Sequence, residues 1–194
     1  MREQQRTGPR FLAFFGCLYF AALRPEEAVN LAKHNLSLPP EGWGELHLER
    51  ATPYAGKEWT NSGRNRDDRQ LKQRAVGESR TVPCPPELTA MLHEHLKQFP
   101  PGPDEELPKL TIVRTWKFAR SRAFTEEVAA SGLAKTPYDL RHAAVSTWLN
   151  GGVPPTTVAE WAGHSVEVLL KIYAKCLDGT DAAVQRRVQA ALGH

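Results

Sequence analysis

Near its C-terminal end the chain carries polar groups inside segments that are otherwise patterned as helices. Between residues 136 and 176 the apolar residues recur at the three- and four-residue spacing of amphipathic helices. Arg141, His164 and Tyr173 are embedded in these segments. Helices that pack on a core hold their side chains in place, so the pattern favours a functional site on a rigid scaffold over three groups on a solvated surface.

The order and spacing of these residues resemble the catalytic core of the tyrosine recombinases, the phage-integrase family. The family pattern is His-x-x-Arg-His, then Leu-Gly-His-Ser, then a tyrosine nine positions after that second histidine, and Arg141-His142, Gly163-His164-Ser165 and Tyr173 match it. The match needs several residues over about forty positions, so it is more specific than a short motif. One position departs from the pattern, because Tyr138 stands where the family most often has its first histidine.

The resemblance extends upstream to Arg24. The run Ala22-Leu23-Arg24-Pro25-Glu26-Glu27 resembles the family's Gly-Leu-Arg-x-x-Glu segment, in which the arginine is the first of two that grip the phosphate. Pro25 suits the first turn of a helix, so Arg24 is predicted to lie at a helix junction. Alone, the segment also fits an exposed arginine paired with Glu27 at a turn; together with the later motif, the phosphate-binding interpretation is favoured.

Residues 71–83 predict two short strands around a turn at Gly77 and Glu78. At this place the family keeps a β-hairpin that bears a catalytic lysine, and Lys72 is the matching position. Lys57 is the alternative.

The resemblance implies strand exchange on double-stranded DNA with no cofactor, metal or ATP. Tyr173 would attack the scissile phosphate and leave a 3′-phosphotyrosine and a free 5′-hydroxyl, and Lys72 would protonate the leaving oxygen. Arg24 and Arg141 would hold the phosphate, since guanidinium forks donate paired hydrogen bonds to its oxygens. His164 would donate one more hydrogen bond and assist proton movement.

Four further residues are expected around the reacting groups. A tyrosine at 138 mainly donates a hydrogen bond to phosphate, so either the role of the base moves elsewhere or the position only helps bind substrate. Asp139 and His142 are expected to orient their neighbours, and Glu27 to hold Arg24.

Other cations are candidates for contacts with the DNA backbone. Residues 54–69 are rich in Gly, Asn, Asp and Arg and predict a loop or loose hairpin, which either touches DNA or is simply solvated. The helix predicted over 114–131 presents cations that either face DNA or form a solvated face. The candidate contacts are Arg64, Arg66, Arg69, Arg74, Lys117 and Arg120.

Composition sets only broad limits. With 194 residues, 41% of them hydrophobic, the chain can form one globular domain, and a net charge of +3 permits but does not demand a polyanionic partner. Three cysteines without a Cys-x-x-Cys pair argue against a disulfide framework or a zinc site and favour a reducing intracellular compartment. The resemblance to enzymes that act on DNA implies a cytoplasmic, nucleoid-associated location. The apolar run 11–23 is too short to span a bilayer, so no membrane partner is expected.

The predicted fold class is α+β and mainly α-helical, with a small antiparallel β-sheet or hairpin. One strand is predicted over 45–50. Helices are predicted over 8–23, from Pro25, over 85–99, 114–131, from Thr136, and over 155–162, 166–175 and 181–192. Apolar stripes on these helices are expected to include Tyr19 and Ala22 on the first, Ala143 and Thr147 on the fifth, and Ile172 on the seventh.

The predicted organisation is a catalytic domain over 1–178 and a tail helix over 179–194, without the N-terminal core-binding domain that family members normally carry. Weak, salt-sensitive DNA binding is therefore expected, with a homotetramer on DNA and a monomer in isolation. In the family such a tail can dock on a neighbouring protomer; packing within its own chain is equally consistent.

Three alternative functions remain: a catalytically weak or silent DNA-binding fragment, a topoisomerase IB-like nicking enzyme, and a helical protein-interaction module. The last is supported only by the modest net charge and would gain support if Arg24, Arg141, His164 and Tyr173 were far apart.

Overall fold

The computed structural model describes residues 2–55, 66, 69–72, 77–100, 109–173 and 181–193. This part of the chain is mainly helical with small antiparallel sheets, which confirms the predicted fold class. The helices are α1 (Arg2–Phe20), α2 (Pro25–Ala28), α3 (Pro86–Gln98), α4 (Lys109–Ala123), α5 (Glu126–Ala130), α6 (Tyr138–Asn150), α7 (Pro155–Ala162), α8 (Val166–Tyr173) and α9 (Asp181–Ala191). The strands are β1 (Leu36–Ser37), β2 (Gly44–Leu48), β3 (Arg50–Ala51), β4 (Arg69–Gln70) and β5 (Arg80–Cys84).

The first helix is the central element of the core. It packs against α3, α6, α4 and α2, and buries Phe11, Phe14 and Leu18. Two details of its predicted stripe are wrong: Tyr19 is 43% exposed, and Ala22 is buried but lies beyond the end of the helix. A helix that buries one side against several partners still leaves its far side in solvent, and Tyr19 is on that side.

Ala22 turns the chain from α1 towards the next helix. Its φ of +49° lies in the left-handed region, which costs an L-residue roughly 1–2 kcal/mol. The turn sends the backbone through Leu23 to Arg24, which is the N-cap residue of α2, with Pro25 in the first turn as the sequence predicts. The strained turn therefore sets the position of Arg24.

A three-stranded antiparallel sheet with order β1-β2-β5 covers one side of the core. Strand β2 begins one residue before the predicted 45–50 and ends two residues earlier. It pairs with β5 so that Leu46 faces Val82 and Leu48 faces Arg80. Strand β4 pairs with β3 instead of with β5. Strand β5 begins after the Gly77 turn, but residues 73–76, which lead into that turn, lie outside the described residues, so the hairpin over 71–83 stays a prediction.

The helix predicted over 114–131 is two helices. Helix α4 ends at Ala123, and Thr125 takes an extended conformation and caps α5 by accepting a hydrogen bond from the Val128 N–H. Threonine is a preferred N-cap residue, and Glu126 and Glu127 follow it in the first turn of α5, where carboxylates are stabilised. Apolar periodicity alone does not reveal this break between α4 and α5.

The last helices place the predicted motif residues. The buried residues of α6 are Arg141, Ala144, Val145 and Leu149, whereas Ala143 and Thr147 are exposed. The buried face of α6 is therefore centred on Arg141, and the prediction that Ala143 and Thr147 belong to it is wrong. Helix α8 buries Leu169 and Tyr173 but leaves Ile172 47% exposed. Its predicted continuation to residue 175 lies outside the described residues.

Helix α9 lies where the tail helix is predicted. Val188 and Leu192 are both exposed, and Arg187 donates a long hydrogen bond of 3.5 Å to the Asn150 carbonyl oxygen. No helix in the described part of the chain is both long enough and apolar enough to cross a membrane.

Candidate active site

Four separate segments bring the motif residues into one place. Arg24 comes from the turn after α1, Arg141 from α6, His164 from the corner after α7, and Tyr173 from the end of α8. Arg24 Nη2 donates to the Gly163 carbonyl oxygen at 2.6 Å, and Arg141 Nη2 lies 2.7 Å from His164 Nε2. The rings of His164 and Tyr173 are 6.3 Å apart, edge to face. Residues up to 149 positions apart in sequence therefore share one cluster.

Glu27 is held between two buried arginines. Its Oε1 accepts from Arg24 Nη1 at 2.8 Å, and its Oε2 accepts from the Arg24 backbone N–H at 2.8 Å and from Arg80 Nη2 at 2.7 Å. The Glu27 side chain is 1% exposed. These contacts support the expectation that Glu27 holds Arg24, and they add Arg80 as a second partner.

The charge state of Glu27 follows from these neighbours. Burial alone would raise the pKa of the carboxyl, but Arg80 and Arg24 more than offset it, so the pKa of Glu27 is below its ordinary value of 4.5. At neutral pH the carboxylate is ionised and fixes both guanidinium groups.

Arg141 is fully buried, and its donors point at backbone carbonyls and at His164. Nη1 donates to the Ala22 carbonyl oxygen, and Nη2 donates to the Ala162 carbonyl oxygen at 2.5 Å. Burial and the nearby Arg24 lower the pKa of Arg141 to about 10, so it stays charged at neutral pH. The residue locks the turn after α1 to the end of α7 while it supplies a fixed positive charge.

His164 is neutral in this environment. Burial, and then the charges of Arg141, Arg24 and Arg80, lower the pKa of His164 to about 4. Arginine cannot accept a hydrogen bond, so His164 Nε2 must accept the one from Arg141, which leaves the ring proton on Nδ1. The predicted hydrogen bond from His164 to a phosphate would therefore come from Nδ1.

Tyr173 is buried and its hydroxyl meets a second histidine. The exposed fraction of Tyr173 is 2%, and the hydroxyl oxygen lies 2.7 Å from His142 Nδ1. Burial lowers the pKa of His142, with Asp139 raising it and Arg141 lowering it further. His142 was expected to orient its neighbours, and the structure shows that one of these neighbours is the Tyr173 hydroxyl.

Tyr138 and Asp139 lie at the start of α6. The Tyr138 ring packs edge to face on His142 at 5.0 Å and lies 6.0 Å from the Arg141 guanidinium carbon. Asp139 Oδ2 accepts from the Thr136 N–H at 2.7 Å. In the part of the chain that the structure describes, no three His, Cys, Asp or Glu side chains meet as a metal ion would require.

Arg80 is the site residue that sequence reasoning missed. It is 2% exposed and lies on the same side of β5 as the buried Val82 and Cys84. The strand pattern could have revealed it, because side chains alternate along a strand and residues 80, 82 and 84 therefore lie on the same face. A charged residue at an inward position predicts a buried partner, and Glu27 is that partner.

The predicted catalytic lysine and the predicted DNA contacts other than Arg120 fall into three groups. Lys72 and Arg69 are exposed beside the two-stranded sheet, and Lys117 is exposed on α4. Arg66 donates to the Thr52 carbonyl oxygen at 2.9 Å and lies over the Tyr54 ring. Arg64, Arg74 and the alternative Lys57 lie outside the described residues.

Arg120 has a structural use instead. Its guanidinium donates to the carbonyl oxygens of Ala129 at 2.5 Å, Ser131 at 2.8 Å and Leu133 at 2.9 Å. These bonds close the corner after α5, so the structure favours this role over the DNA contact expected for Arg120.

The two roles of the α4 cations can be separated by matched substitutions. Arg120→Gln is expected to lower the free energy of unfolding by about 2 kcal/mol, because several charge-assisted hydrogen bonds are lost, and to leave the salt dependence of DNA binding unchanged. Lys117→Gln is expected to leave stability unchanged and to reduce the slope of log affinity against log salt by about 1. Urea unfolding and fluorescence anisotropy check the pair, and the reverse result would restore Arg120 as the DNA contact.

No protein-family model matches this sequence, and no curated protein matches it. Solved structures of recombinases and integrases do match its fold. A XerH site-specific recombinase bound to difH substrate in a pre-cleavage complex has a TM-score of 0.61 and 15% identity, over 90% of this chain and 44% of that chain. The Tn1549 transposon integrase in complex with transposon right end DNA has a TM-score of 0.68 and 14% identity, over 99% of this chain and 65% of that chain. The XerA recombinase has a TM-score of 0.58 and 16% identity, over 97% of this chain and 60% of that chain.

The chain thus spans between 44% and 65% of the length of these proteins. Because the identities are only 14–16%, the similarity shows a shared fold and does not identify individual residues as equivalent. Over nearly its whole length, this chain has the fold of the tyrosine recombinases and integrases.

Proposed function

We propose that this chain is the catalytic domain of a tyrosine-type site-specific recombinase or integrase, which cleaves and rejoins double-stranded DNA through a 3′-phosphotyrosyl intermediate. The observation that carries the proposal is the meeting of Arg24, Arg141, His164 and Tyr173 at one buried site. A protein-interaction module gains no support from the structure, because these four residues are not far apart.

The electrostatics of the site suit a phosphodiester. Among the described residues, the buried side chains that are charged at neutral pH are the arginines at 24, 80 and 141 and the carboxylate of Glu27. A phosphodiester carries one negative charge and gains a second in the pentacoordinate transition state, so fixed cations stabilise the developing charge. Arg141 fits this role best, since its described hydrogen bonds go to carbonyls and a histidine rather than to a carboxylate.

In this scheme Tyr173 is the nucleophile. A free phenol has a pKa of about 10 and attacks poorly at neutral pH, so its proton must be removed during the reaction. Arg24 and Arg141 bind the phosphate, His164 donates from Nδ1, and Lys72 protonates the departing 5′ oxygen. Exposed Lys72 would reach the scissile bond only with DNA in place.

The domain organisation and the oligomeric state are part of the same proposal. The catalytic domain extends to about residue 178 and the tail helix follows it, with a homotetramer on DNA and a monomer in isolation. The exposed Val188 and Leu192 on α9 are the apolar side chains that a neighbouring protomer would cover, while Arg187 of the same helix contacts the Asn150 carbonyl oxygen of its own chain.

The proposal is tested by trapping on a nicked suicide DNA substrate that carries candidate attachment sequence. The wild-type chain is expected to give a covalent protein–DNA band that Tyr173→Phe abolishes, because the phenolic oxygen is the atom that bonds to phosphorus. Tyr19→Phe, which alters an exposed tyrosine on α1, serves as the matched control and should keep the band. A band that persists in Tyr173→Phe refutes the nucleophile. If the wild type binds DNA but gives no band, the chain is the silent DNA-binding fragment instead.

A further inference from the structure

His142 and Tyr173 form a contact that the scheme above does not use. His142 projects from α6 and Tyr173 from the last turn of α8, and His142 Nδ1 lies 2.7 Å from the phenolic oxygen. The two rings are 5.7 Å apart. The distance is that of a good hydrogen bond, and it joins a titratable nitrogen directly to the proposed nucleophile.

We propose that His142 is the general base that takes the phenolic proton of Tyr173 when DNA is cleaved, and that it returns this proton when the strand is rejoined. The inference rests on the proposed function. It assigns the role of the base, which is open because Tyr138 stands where the family most often has a histidine.

The other groups around the phenol are poorly suited to this task. Tyr138 is itself a weak acid and acts mainly as a donor. His164 uses Nε2 to accept from Arg141, and its ring is farther from Tyr173, at 6.3 Å. Asp139 Oδ2 accepts from the Thr136 backbone.

The surroundings of His142 suit a base that starts neutral. Burial lowers the pKa of His142, and the charge of Arg141 lowers it further, while Asp139 raises it. The groups that face the imidazole are Tyr138, Asp139 and Arg141 on its own helix, Tyr173 on α8 and His164 after α7. Asp139 is then placed to stabilise the imidazolium that forms when the proton arrives.

The proton and electron balance of the step is simple. In the reactive tautomer His142 carries its proton on Nε2 and accepts at Nδ1. A lone pair of the Tyr173 oxygen forms the bond to phosphorus as the O–H proton passes to Nδ1. The bond from phosphorus to the 5′ oxygen breaks, and that oxygen keeps the electron pair and takes a proton from the general acid. Attack by a 5′-hydroxyl reverses each transfer.

The first test compares the rates of covalent capture on the suicide substrate. His142→Gln is expected to slow capture about a hundredfold, the lower end of the range for a general base, with DNA affinity unchanged. His34→Gln, which alters an exposed histidine before the sheet, should leave the rate unchanged. A fluorinated tyrosine at position 173, whose phenol is more acidic, should restore most of the rate in His142→Gln because it needs less help to lose its proton. A role limited to orientation predicts no such rescue, and that result would overturn the assignment.

The second test needs no DNA cleavage. With the Tyr173 ring labelled with ¹³C, the phenol carbon signal of the wild type should shift as His142 titrates, and the shift should be absent in His142→Gln. A phenol carbon signal that does not change while His142 titrates would refute the contact between His142 and the Tyr173 hydroxyl. If the signal responds but wild-type protein forms no adduct, the proposed function fails while the histidine–tyrosine pair stands.

Discussion

Gly163→Ala is expected to lower the free energy of unfolding by about 3 kcal/mol and to slow covalent capture of DNA by about a hundredfold. Gly163 ends α7 in the left-handed conformation, with φ +65° and ψ +44°, where an alanine is strained by roughly 1–2 kcal/mol. A Cβ there would collide with Arg80 Nη1 and lie 2.9 Å from Arg80 Cζ and 3.1 Å from Arg24 Nη1. Overpacking of this kind adds about 1–3 kcal/mol.

The loss of activity follows from what the methyl group would displace. The Gly163 carbonyl oxygen accepts from Arg24 Nη2 at 2.6 Å, and Arg80 holds Glu27 against Arg24. A shift in either guanidinium moves the phosphate-binding charge that the proposed reaction needs, and a displacement of about 1 Å can cost a factor of 10² in rate. His164 follows directly in sequence, so its ring moves as well.

Gly42→Ala separates backbone strain from collision. Gly42 has a φ of +93°, and a Cβ there would meet no atom within 4 Å. Urea unfolding of this control should show only the strain, about 1–2 kcal/mol, with capture on the suicide substrate retained. Equal losses of stability in both variants would mean that the space around Gly163 is not limiting, and the close approach of the arginines would be refuted.

The parts of the site that could be predicted from sequence depend on local signals. Pro25 after Arg24 marks a helix start, and Gly163 after Ala162 marks a left-handed helix end; both are found in the structure. The spacing from His164 to Tyr173 placed both residues around one short helix. Each of these signals involves residues within about one or two helical turns, where backbone preferences act without help from the rest of the chain.

The parts that could not be predicted depend on tertiary contacts. The stripe predicted on α6 included Ala143 and Thr147, whereas the buried face of this helix is centred on Arg141. Arg141 can be buried because its donors bind the carbonyl oxygens of Ala22, after α1, and Ala162, in the last turn of α7. The pairing of Arg80 with Glu27 joins residues 53 positions apart. Hydrophobic periodicity treats a buried arginine as a surface residue, so it misplaces a face whose central member is charged.

Glu27→Gln is expected to lower the free energy of unfolding by about 3–5 kcal/mol, the usual cost of removing one partner from a buried ion pair. The carboxylate serves Arg24 and Arg80 together, and Arg24 and Glu27 are 7% and 1% exposed at their side chains. An amide can accept from only one side and carries no charge, so both guanidinium groups lose their counter-ion. Glu26→Gln, at the preceding position in the first turn of α2, removes the same charge near the same helix end and should cost less than about 1 kcal/mol.

The pH dependence of stability separates the ion pair from a loss of packing. The pKa of Glu27 is lowered in the folded state, so the unfolded chain binds its proton more tightly, and the stabilisation is complete above the ordinary value of 4.5 and is lost as the pH falls below it. His164, with a pKa of about 4, and His142 and His95, whose pKa values are also below the ordinary 6.5, add losses of the same sign below about pH 6.5. Urea unfolding from pH 7 to pH 3 should therefore show a fall in the wild type and in Glu26→Gln, and a smaller fall in Glu27→Gln, which keeps only the histidine contribution. Parallel curves for all three proteins would show that Glu27 titrates normally, and the charge-holding role assigned to it would be wrong.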